Sequence, residues 1–145
     1  MPSMERSEVV PYTPDQMYEL VMDIESYPEF LSWCSRGRIL DRESDSITAE
    51  LTLEYKGLSK SFSTRNRFQR PKVVEMRLME GPFRFLEGVW TFEPREDHGT
   101  RVHMSIQFEF VSRMLSFMIG PMFHHAVDTL VEDFRKRAEQ VYGRP

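Results

Sequence analysis

Cysteine is nearly absent from this 145-residue chain, in which Cys34 is the only one. An intrachain disulfide is therefore excluded, and a reducing compartment fits. No apolar run approaches the roughly 18 residues that a membrane-spanning helix needs, and the charged N-terminus lacks the apolar core of a signal peptide. The sequence predicts a cytoplasmic protein that is at most peripheral to the inner membrane.

The sequence also lacks the signatures of the common catalytic and metal-binding sites. It contains no G-x-S-x-G nucleophile motif, and residues 57–61 lack the first glycine and the spacing of a phosphate-binding loop. A single cysteine and four histidines do not support a zinc site. His124 and Asp128 lie four residues apart on a predicted helix, and they are more simply explained as a solvated pair than as metal ligands. We therefore expect no catalytic residues, no metal and no required cofactor.

Charge is unevenly distributed, although the formal net charge is only −4. Residues 1–35 carry −6, residues 36–84 carry +4 and residues 85–145 carry −2. The basic part includes Arg65, Arg67 and Arg77, which the alternation of apolar residues places on the outer face of two neighbouring strands. Such a patch can bind phosphates, whereas the simpler alternative is a solvated sheet face. The sequence alone leaves both open.

What the sequence has in abundance is apolar residues in regular patterns. Across residues 112–142 they recur every three or four positions, which predicts one helix. At this length the helix would span about 45 Å. Gly120 and Pro121 interrupt the pattern, and we expect a kink or a new helix start there. Residues 114–123 are apolar on more than one face, so we expect them to form a gate or a lip that faces a membrane.

A first strand at residues 5–10 and two short helices are predicted near the N-terminus. Thr13 and Gln16 form a capping box with Pro14 in the first turn, so one helix begins here and ends before Pro28. A second short helix is predicted from residue 26 and carries Trp33. From residue 36 to residue 110 apolar and polar residues alternate, which predicts about six strands joined by short turns.

This order of elements predicts an α+β fold in a single domain, residues 1–145. Consecutive strands with short turns form an antiparallel meander that has one wet and one dry face. The long C-terminal helix is the natural cover for the dry face. We therefore predict a helix-grip architecture, in which a curved antiparallel sheet wraps around the C-terminal helix and two short helices follow the first strand.

The inward-facing residues of such a fold are large, and several are flexible because the chain contains ten methionines. A few polar residues fall on the same face. These side chains either enclose a cavity for an apolar ligand or simply fill the core. The predicted ligand-binding residues are Trp33, Tyr55, Phe62, Thr64, Asn66, Phe68, Met76, Leu78, Trp90, Phe92, Met104, Ile106, Phe108, Phe123, Val127 and Leu130.

Seven segments carry a family resemblance. They are VPY (10–12), ESYPEFLSWC (25–34), TRN (64–66), GPFR (81–84), LEG (86–88), WTFEP (90–94) and RAEQVYG (137–143). Together, and in this order, they resemble a START-like family of the polyketide cyclase/dehydrase superfamily, which contains the coenzyme-Q-binding proteins and the ribosome association toxins. One departure is Ser32, where the family often has proline.

The resemblance implies a helix-grip START-like fold, a hydrophobic cavity and no catalytic residues. It also implies two different roles. One is binding a hydrophobic small molecule, a polyprenyl quinone such as ubiquinone or another lipid, in support of respiration and in contact with a membrane surface. The other is binding the large ribosomal subunit and blocking subunit joining, with an antitoxin as partner. For this role the basic residues Arg65, Arg67 and Arg77 are the expected RNA contact.

We favour the first role, because the apolar inventory supports it and the overall acidic charge does little for RNA affinity. A cyclase or hydrolase activity, as in more distant START-like proteins, would need convergent acid–base groups in the cavity. The sequence identifies none.

Overall fold

The structure, a computed structural model, describes residues 3–144. Its elements are strand β1 (Ser3–Val10), helix α1 (Pro14–Met22), a 3₁₀ helix (Ile24–Glu29), strands β2 (Cys34–Arg42), β3 (Ser46–Tyr55), β4 (Leu58–Gln69), β5 (Val73–Glu80), β6 (Phe83–Pro94) and β7 (Thr100–Phe110), and helix α2 (Arg113–Tyr142). The predicted order of elements and the α+β helix-grip fold are confirmed.

All seven strands belong to one antiparallel sheet with the order β1-β7-β6-β5-β4-β3-β2. Strands β2 to β7 form the predicted meander, and β1 joins its far end by pairing with β7. The turn between β3 and β4 is made by Lys56 and Gly57, which both have positive φ angles. Tight hairpin turns that match the twist of the flanking strands require this conformation.

The register of the sheet places a row of five residues across the inner face. The row consists of Ile47, Asn66, Met76, Gly88 and Ile106, each paired with the next on the neighbouring strand. A Cβ atom at Gly88 would lie 2.7 Å from Met76 Cε. Because Gly88 has no side chain, the Met76 methyl group can occupy the space beside it.

Helix α2 covers the inner face as one continuous element of 30 residues. Ser112 is its N-cap and accepts a hydrogen bond from the Leu115 backbone N–H. The expected new helix start at Pro121 is wrong, because the helix runs through this residue. Pro121 leaves the Phe117 carbonyl without its helical donor, and the exposed position of Phe117 lets water take that place.

The polar contacts that fasten α2 to the other elements all involve its C-terminal half or the cap that follows it. They are Arg6–Asp128, Arg135–Glu8, Arg137–Glu29, Tyr12–Gly143 and Tyr142–Gln16. Within the described chain, no ion pair or side-chain hydrogen bond joins residues 113–127 to another element. The N-terminal half of α2 is held by apolar packing alone, chiefly through Ile119 and Phe123.

The short helices sit at one end of the sheet. The predicted capping box of α1 is confirmed, with Gln16 and Thr13 exchanging side-chain-to-backbone hydrogen bonds of 2.9 and 3.2 Å. The second short helix differs from the prediction, because it is a 3₁₀ helix that begins at Ile24 and ends at Glu29. It lies so close to β2 that a Cβ atom at Gly37 would be 2.2 Å from the Ile24 carbonyl oxygen.

No helix among residues 3–144 is long and apolar enough to cross a membrane.

Candidate functional site

A cavity lies between the inner face of the sheet and the middle of α2. Its volume is about 70 Å³. The walls come from the 3₁₀ helix, strands β3 to β7 and α2. The lining residues are Ile24, Tyr27, Trp33, Ala49, Leu51, Phe62, Thr64, Asn66, Met76, Leu86, Trp90, Ile106, Phe123, Ala126, Val127, Leu130 and Phe134.

One polar pair sits in the apolar wall on strand β4. Thr64 Oγ1 donates a hydrogen bond of 2.7 Å to Asn66 Oδ1, and Asn66 is only 3% exposed. This bond satisfies the carbonyl oxygen of Asn66. The amide nitrogen keeps two N–H groups that the pairing with Thr64 does not use.

Trp33 contributes an unsatisfied donor. Its indole Nε1 is buried, and it has no hydrogen-bond partner among the described residues. A buried donor without an acceptor costs about 1–3 kcal/mol, which a ligand that supplies an acceptor would recover. The cavity wall therefore offers N–H donors from both Asn66 and Trp33.

The remaining electrostatics of the cavity are simple. Within residues 3–144, none of the side chains that line it carries a charge, and Tyr27 is the one titratable group. The Tyr27 hydroxyl donates to the Val21 carbonyl oxygen. Burial is the main reason that the pKa of Tyr27 is raised above its ordinary value. The hydroxyl therefore stays neutral, and no acid–base pair faces the cavity.

The structure brings together ten of the sixteen predicted ligand-binding residues. These ten are Trp33, Phe62, Thr64, Asn66, Met76, Trp90, Ile106, Phe123, Val127 and Leu130. Sequence reasoning missed Ile24, Tyr27, Ala49, Leu51, Leu86, Ala126 and Phe134 as cavity residues. Leu51, Ala126 and Phe134 continue the apolar patterns of β3 and α2, so periodicity could have found them. Nothing in the sequence marks the inward turn of Ile24 and Tyr27.

Four predicted residues lie on the inner face but pack into the solid core beside the cavity. Phe68 and Phe92 make edge contacts with the Tyr18 ring, at centroid distances of 6.5 and 5.9 Å. Phe108 makes an edge contact with Phe123 at 4.8 Å, and Met104 is fully buried. Their placement as cavity residues is corrected. Helix α1, through Tyr18, fills the dry face beside Phe68 and Phe92, and the aromatic contact between Phe108 and Phe123 fills it elsewhere.

Tyr55 and Leu78 also lie outside the cavity wall. Tyr55 is at the end of β3 and lines a surface groove of about 390 Å³. Leu78 is half-buried near the end of β5, one residue beyond the point at which β5 stops pairing with β6. Their placement as cavity residues is corrected, because each lies near the end of its strand, outside the region of the sheet that α2 covers.

The groove beside Tyr55 is a neighbour of the cavity. It runs between α2 and the segment around Ser32, and it shares two wall residues with the cavity, Trp33 and Ala126. These two side chains separate the interior from the surface groove. Trp33 is therefore both a wall of the cavity and the barrier on this side.

The predicted arginines lie on the outer face of the sheet. Arg65 and Arg77 are directly paired across β4 and β5, and with Arg67 they line an open groove of about 430 Å³. Carboxylates are interleaved with them. Arg65 pairs with Glu43 at 2.7 Å, and Arg77 lies 3.9 Å from Glu87. The surface is basic only in part.

Comparison with known proteins identifies the family that has this fold. A helix-grip fold with an apolar cavity beneath its long C-terminal helix defines the START-like class. Residues 10–135 match the family model described as polyketide cyclase/dehydrase and lipid transport. The chain therefore belongs to that family.

Two curated relatives of this chain carry different names. The ribosome association toxin RatA of Escherichia coli is 37% identical over 143 residues, which cover 99% of this chain and 90% of that protein. The mitochondrial coenzyme Q-binding protein COQ10 of Dictyostelium discoideum is 26% identical, over 96% of this chain and 70% of that protein.

Solved structures of other proteins share this fold. An 18 kDa protein from Caulobacter crescentus is 34% identical with a TM-score of 0.77, covering 99% of this chain and 100% of its own. A START superfamily protein from Mycobacterium smegmatis gives a TM-score of 0.79 at 19% identity, with 96% and 98% covered. The Zhui aromatase/cyclase from Streptomyces gives 0.83 at 15% identity, with 96% and 94% covered, which shows a shared fold alone.

Proposed function

We propose that the protein binds a neutral, largely apolar carbonyl compound of the polyprenyl quinone class in the cavity and performs no chemistry on it. The observation that carries this proposal is the presence of two N–H donors, the unpartnered Trp33 indole and the Asn66 amide that the Thr64 bond does not use, in an otherwise apolar wall. Quinone oxygens are hydrogen-bond acceptors, and a polyprenyl tail is purely apolar. Both halves of such a ligand match the groups around the cavity.

The charge of the wall supports a neutral ligand. A fatty acid or a phospholipid would bring an anionic group into a site lined by no lysine, arginine or histidine among the described residues. Burying an unpaired charge is far more costly than burying a hydrogen-bonded carbonyl. The same absence of acid–base groups argues for binding rather than for a cyclase reaction.

The volume of the cavity requires that it opens. Ligand sites usually enclose about 300–1,000 Å³, whereas this cavity holds about 70 Å³. Movement of Trp33 would join it to the adjoining groove of about 390 Å³. Met76 is flexible and half-buried, so it can also give way. Binding of such a ligand therefore requires these side chains to move.

The comparisons support this proposal at the family level. The family description includes lipid transport, and a relative of 26% identity is named as a coenzyme Q-binding protein. Ubiquinone is accordingly the proposed ligand. We propose that the protein acts in the cytoplasm at the inner membrane, where it would support respiration.

The test removes the donors and compares two ligands. The double variant Thr64→Val/Asn66→Leu takes away both members of the polar pair, so that neither is left without its partner. We expect it to bind decylubiquinone about tenfold more weakly, in line with about 1–3 kcal/mol per lost hydrogen bond. Binding of dodecylbenzene, which has no carbonyl, should be unchanged. Quenching of the fluorescence of Trp33 and Trp90 in the wall reports both ligands.

Trp33→Phe keeps the ring and removes the N–H, so it should show the same selectivity. Glu75→Gln, on the exposed outer side of β5, serves as the matched control. A wild-type protein that binds neither compound would refute the cavity as a ligand site. Equal losses for both ligands would refute the role of the donors.

A second candidate function is association with the large ribosomal subunit, for which an antitoxin partner is predicted. It is favoured by one observation, the 37% identity to RatA over 99% of this chain. The outer-face groove with Arg65, Arg67 and Arg77 is the proposed contact. The interleaved Glu43 and Glu87 weaken the positive potential there, so the affinity should be modest. Co-sedimentation with purified large subunits at several salt concentrations tests this role, and protein that stays in the supernatant at low salt would exclude it.

A further inference from the structure

An exposed apolar stripe runs along the first turns of α2. Met114 is 71% exposed, Phe117 84% and Met118 45%, and Pro121 continues the line. These positions follow the i, i+3, i+4, i+7 spacing of a single helix face. The opposite face carries the buried Ile119 and Phe123. The stripe is therefore additional to the apolar face that packs on the sheet.

The segment that carries this stripe has charge of one sign only. Residues 111–127 contain no aspartate or glutamate, although the whole chain carries −4. Arg113 stands at the start of the helix and lines a groove together with Arg84. The acidic side chain next to them, Glu109, lies 3.6 Å from Arg84. An apolar surface with basic neighbours and no nearby free acid complements an anionic lipid surface.

We propose that this stripe docks the protein onto an anionic bilayer, with Phe117 and Met114 inserted and Arg113 at the headgroups. The stripe ends at Pro121, before the polar contacts of α2 to other elements begin at Asp128. The end that meets the membrane is thus the half of the helix held by apolar packing alone. Phe123, which lines the cavity, lies six residues from Phe117, or about 9 Å along the helix. The docking surface does not depend on whether the cavity holds a ligand.

The experiment uses flotation of the full chain with vesicles of mixed phosphatidylcholine and phosphatidylglycerol. We expect binding to these vesicles and much weaker binding to pure phosphatidylcholine. The variant Met114→Gln/Phe117→Gln should bind at least tenfold more weakly, because it removes the inserted apolar area. Arg113→Gln should bind roughly fivefold more weakly.

Matched controls come from exposed residues of the same type elsewhere. Val9→Gln/Leu40→Gln alters two apolar side chains that are 46% and 49% exposed on the edge strands. Arg101→Gln changes the same charge near the start of β7, about 30 Å along the strand from the stripe. Both controls should bind vesicles like the wild type. No flotation of the wild type, or equal losses in variants and controls, would overturn the proposal.

Two further results would show whether the stripe contacts a lipid bilayer or a second copy of the chain. A wild-type protein that dimerises in sedimentation experiments without lipid, and loses this in Met114→Gln/Phe117→Gln, would assign the stripe to a second copy and overturn the membrane proposal. A monomer whose Phe117→Trp variant is quenched by brominated lipid would place the stripe in the bilayer.

Discussion

Burial decides the chemistry of the lone cysteine. Cys34 begins β2, is 3% exposed, and donates a hydrogen bond of 3.3 Å from Sγ to the Arg36 carbonyl oxygen. Its pKa is raised to about 11, chiefly because burial disfavours the thiolate. The thiolate is the reactive form, so this thiol should be inert in the folded protein. It acts as a small buried apolar residue.

The raised pKa predicts a pH dependence of stability. Above about pH 9 the unfolded chain releases the thiol proton, whereas the folded protein keeps it up to about pH 11. The free energy of unfolding should therefore fall across this window, by about 1.4 kcal/mol per pH unit at most. Urea unfolding of the wild type and of Cys34→Ala at a series of pH values measures the effect. The difference between the two proteins reports the contribution of the thiol, and parallel pH profiles would contradict the prediction.

Single residues also show how far the cavity could be predicted. Asn66 stood out because a polar residue interrupted an apolar face, and the structure gives it a buried position on the cavity wall. Phe92 and Met104 shared that face and lie outside the cavity. Periodicity identifies the side of a strand on which a residue lies, but not its position along the strand relative to a covering helix. Tyr27 could not be predicted, because a 3₁₀ helix has no comparable periodic signal.

At the scale of elements, α2 consists of two halves with different attachments. The C-terminal half is fastened to β1 by ion pairs, Arg135 with Glu8 and Asp128 with Arg6. The N-terminal half has only apolar contacts and an exposed stripe. Local opening is expected where buried contacts are few and polar contacts are missing. The half that could uncover the cavity is therefore the less stable one.

Hydrogen exchange should reveal this difference. We expect backbone amides at residues 113–123 to exchange faster than those at residues 128–138, because local opening costs less free energy there. Vesicles that contain phosphatidylglycerol should slow the first set and leave the second unchanged. Amides of α1, measured in the same samples, are the internal reference. A helix protected uniformly along its length, with and without lipid, would contradict the prediction.

The boundary between the two halves was only partly visible in the sequence. Gly120 and Pro121 lie inside the N-terminal half rather than at its end, and the helix runs on through them. A proline costs a helix one hydrogen bond, and packing on both sides can outweigh that cost. Sequence shows the missing donor, whereas the packing of Ile119 and Phe123 on the sheet appears only in the structure.

At the scale of the whole molecule, the two proposed functions use opposite faces of one sheet. The cavity lies under the inner face, and the groove with Arg65, Arg67 and Arg77 lies on the outer one. Neighbouring residues of a strand point to opposite faces, so Arg65 and Asn66 are adjacent in sequence yet belong to different surfaces. The two roles should therefore be separable by mutation.

The triple variant Arg65→Glu/Arg67→Glu/Arg77→Glu tests this separation. It should weaken co-sedimentation with large ribosomal subunits and flatten its salt dependence, since each lost phosphate contact lowers the slope by up to about one. Decylubiquinone binding should be unchanged, because none of the three side chains lines the cavity. Thr64→Val/Asn66→Leu should behave in the opposite way. A triple variant that still binds subunits at moderate salt would remove this groove from the ribosome hypothesis.

The overall fold was the part that the sequence predicted best. Alternation in the middle and helical spacing at the end determine the class, because each element must bury its apolar face against the other. The pairing of β1 with β7 was not visible, since no local pattern links Val10 to Thr100. The closed state of the cavity was not visible either, because volume depends on rotamers rather than on residue types.

The pairing of β1 with β7 has a consequence for how the chain is made. Synthesis proceeds from the N-terminus, and domains fold as their parts emerge. Ser3 pairs with Gln107, so the first strand has no neighbour until more than two thirds of the polypeptide exists. The helix that covers the dry face is translated later still. The nascent protein must therefore spend most of its synthesis with an unfinished sheet and an apolar face that α2 does not yet cover.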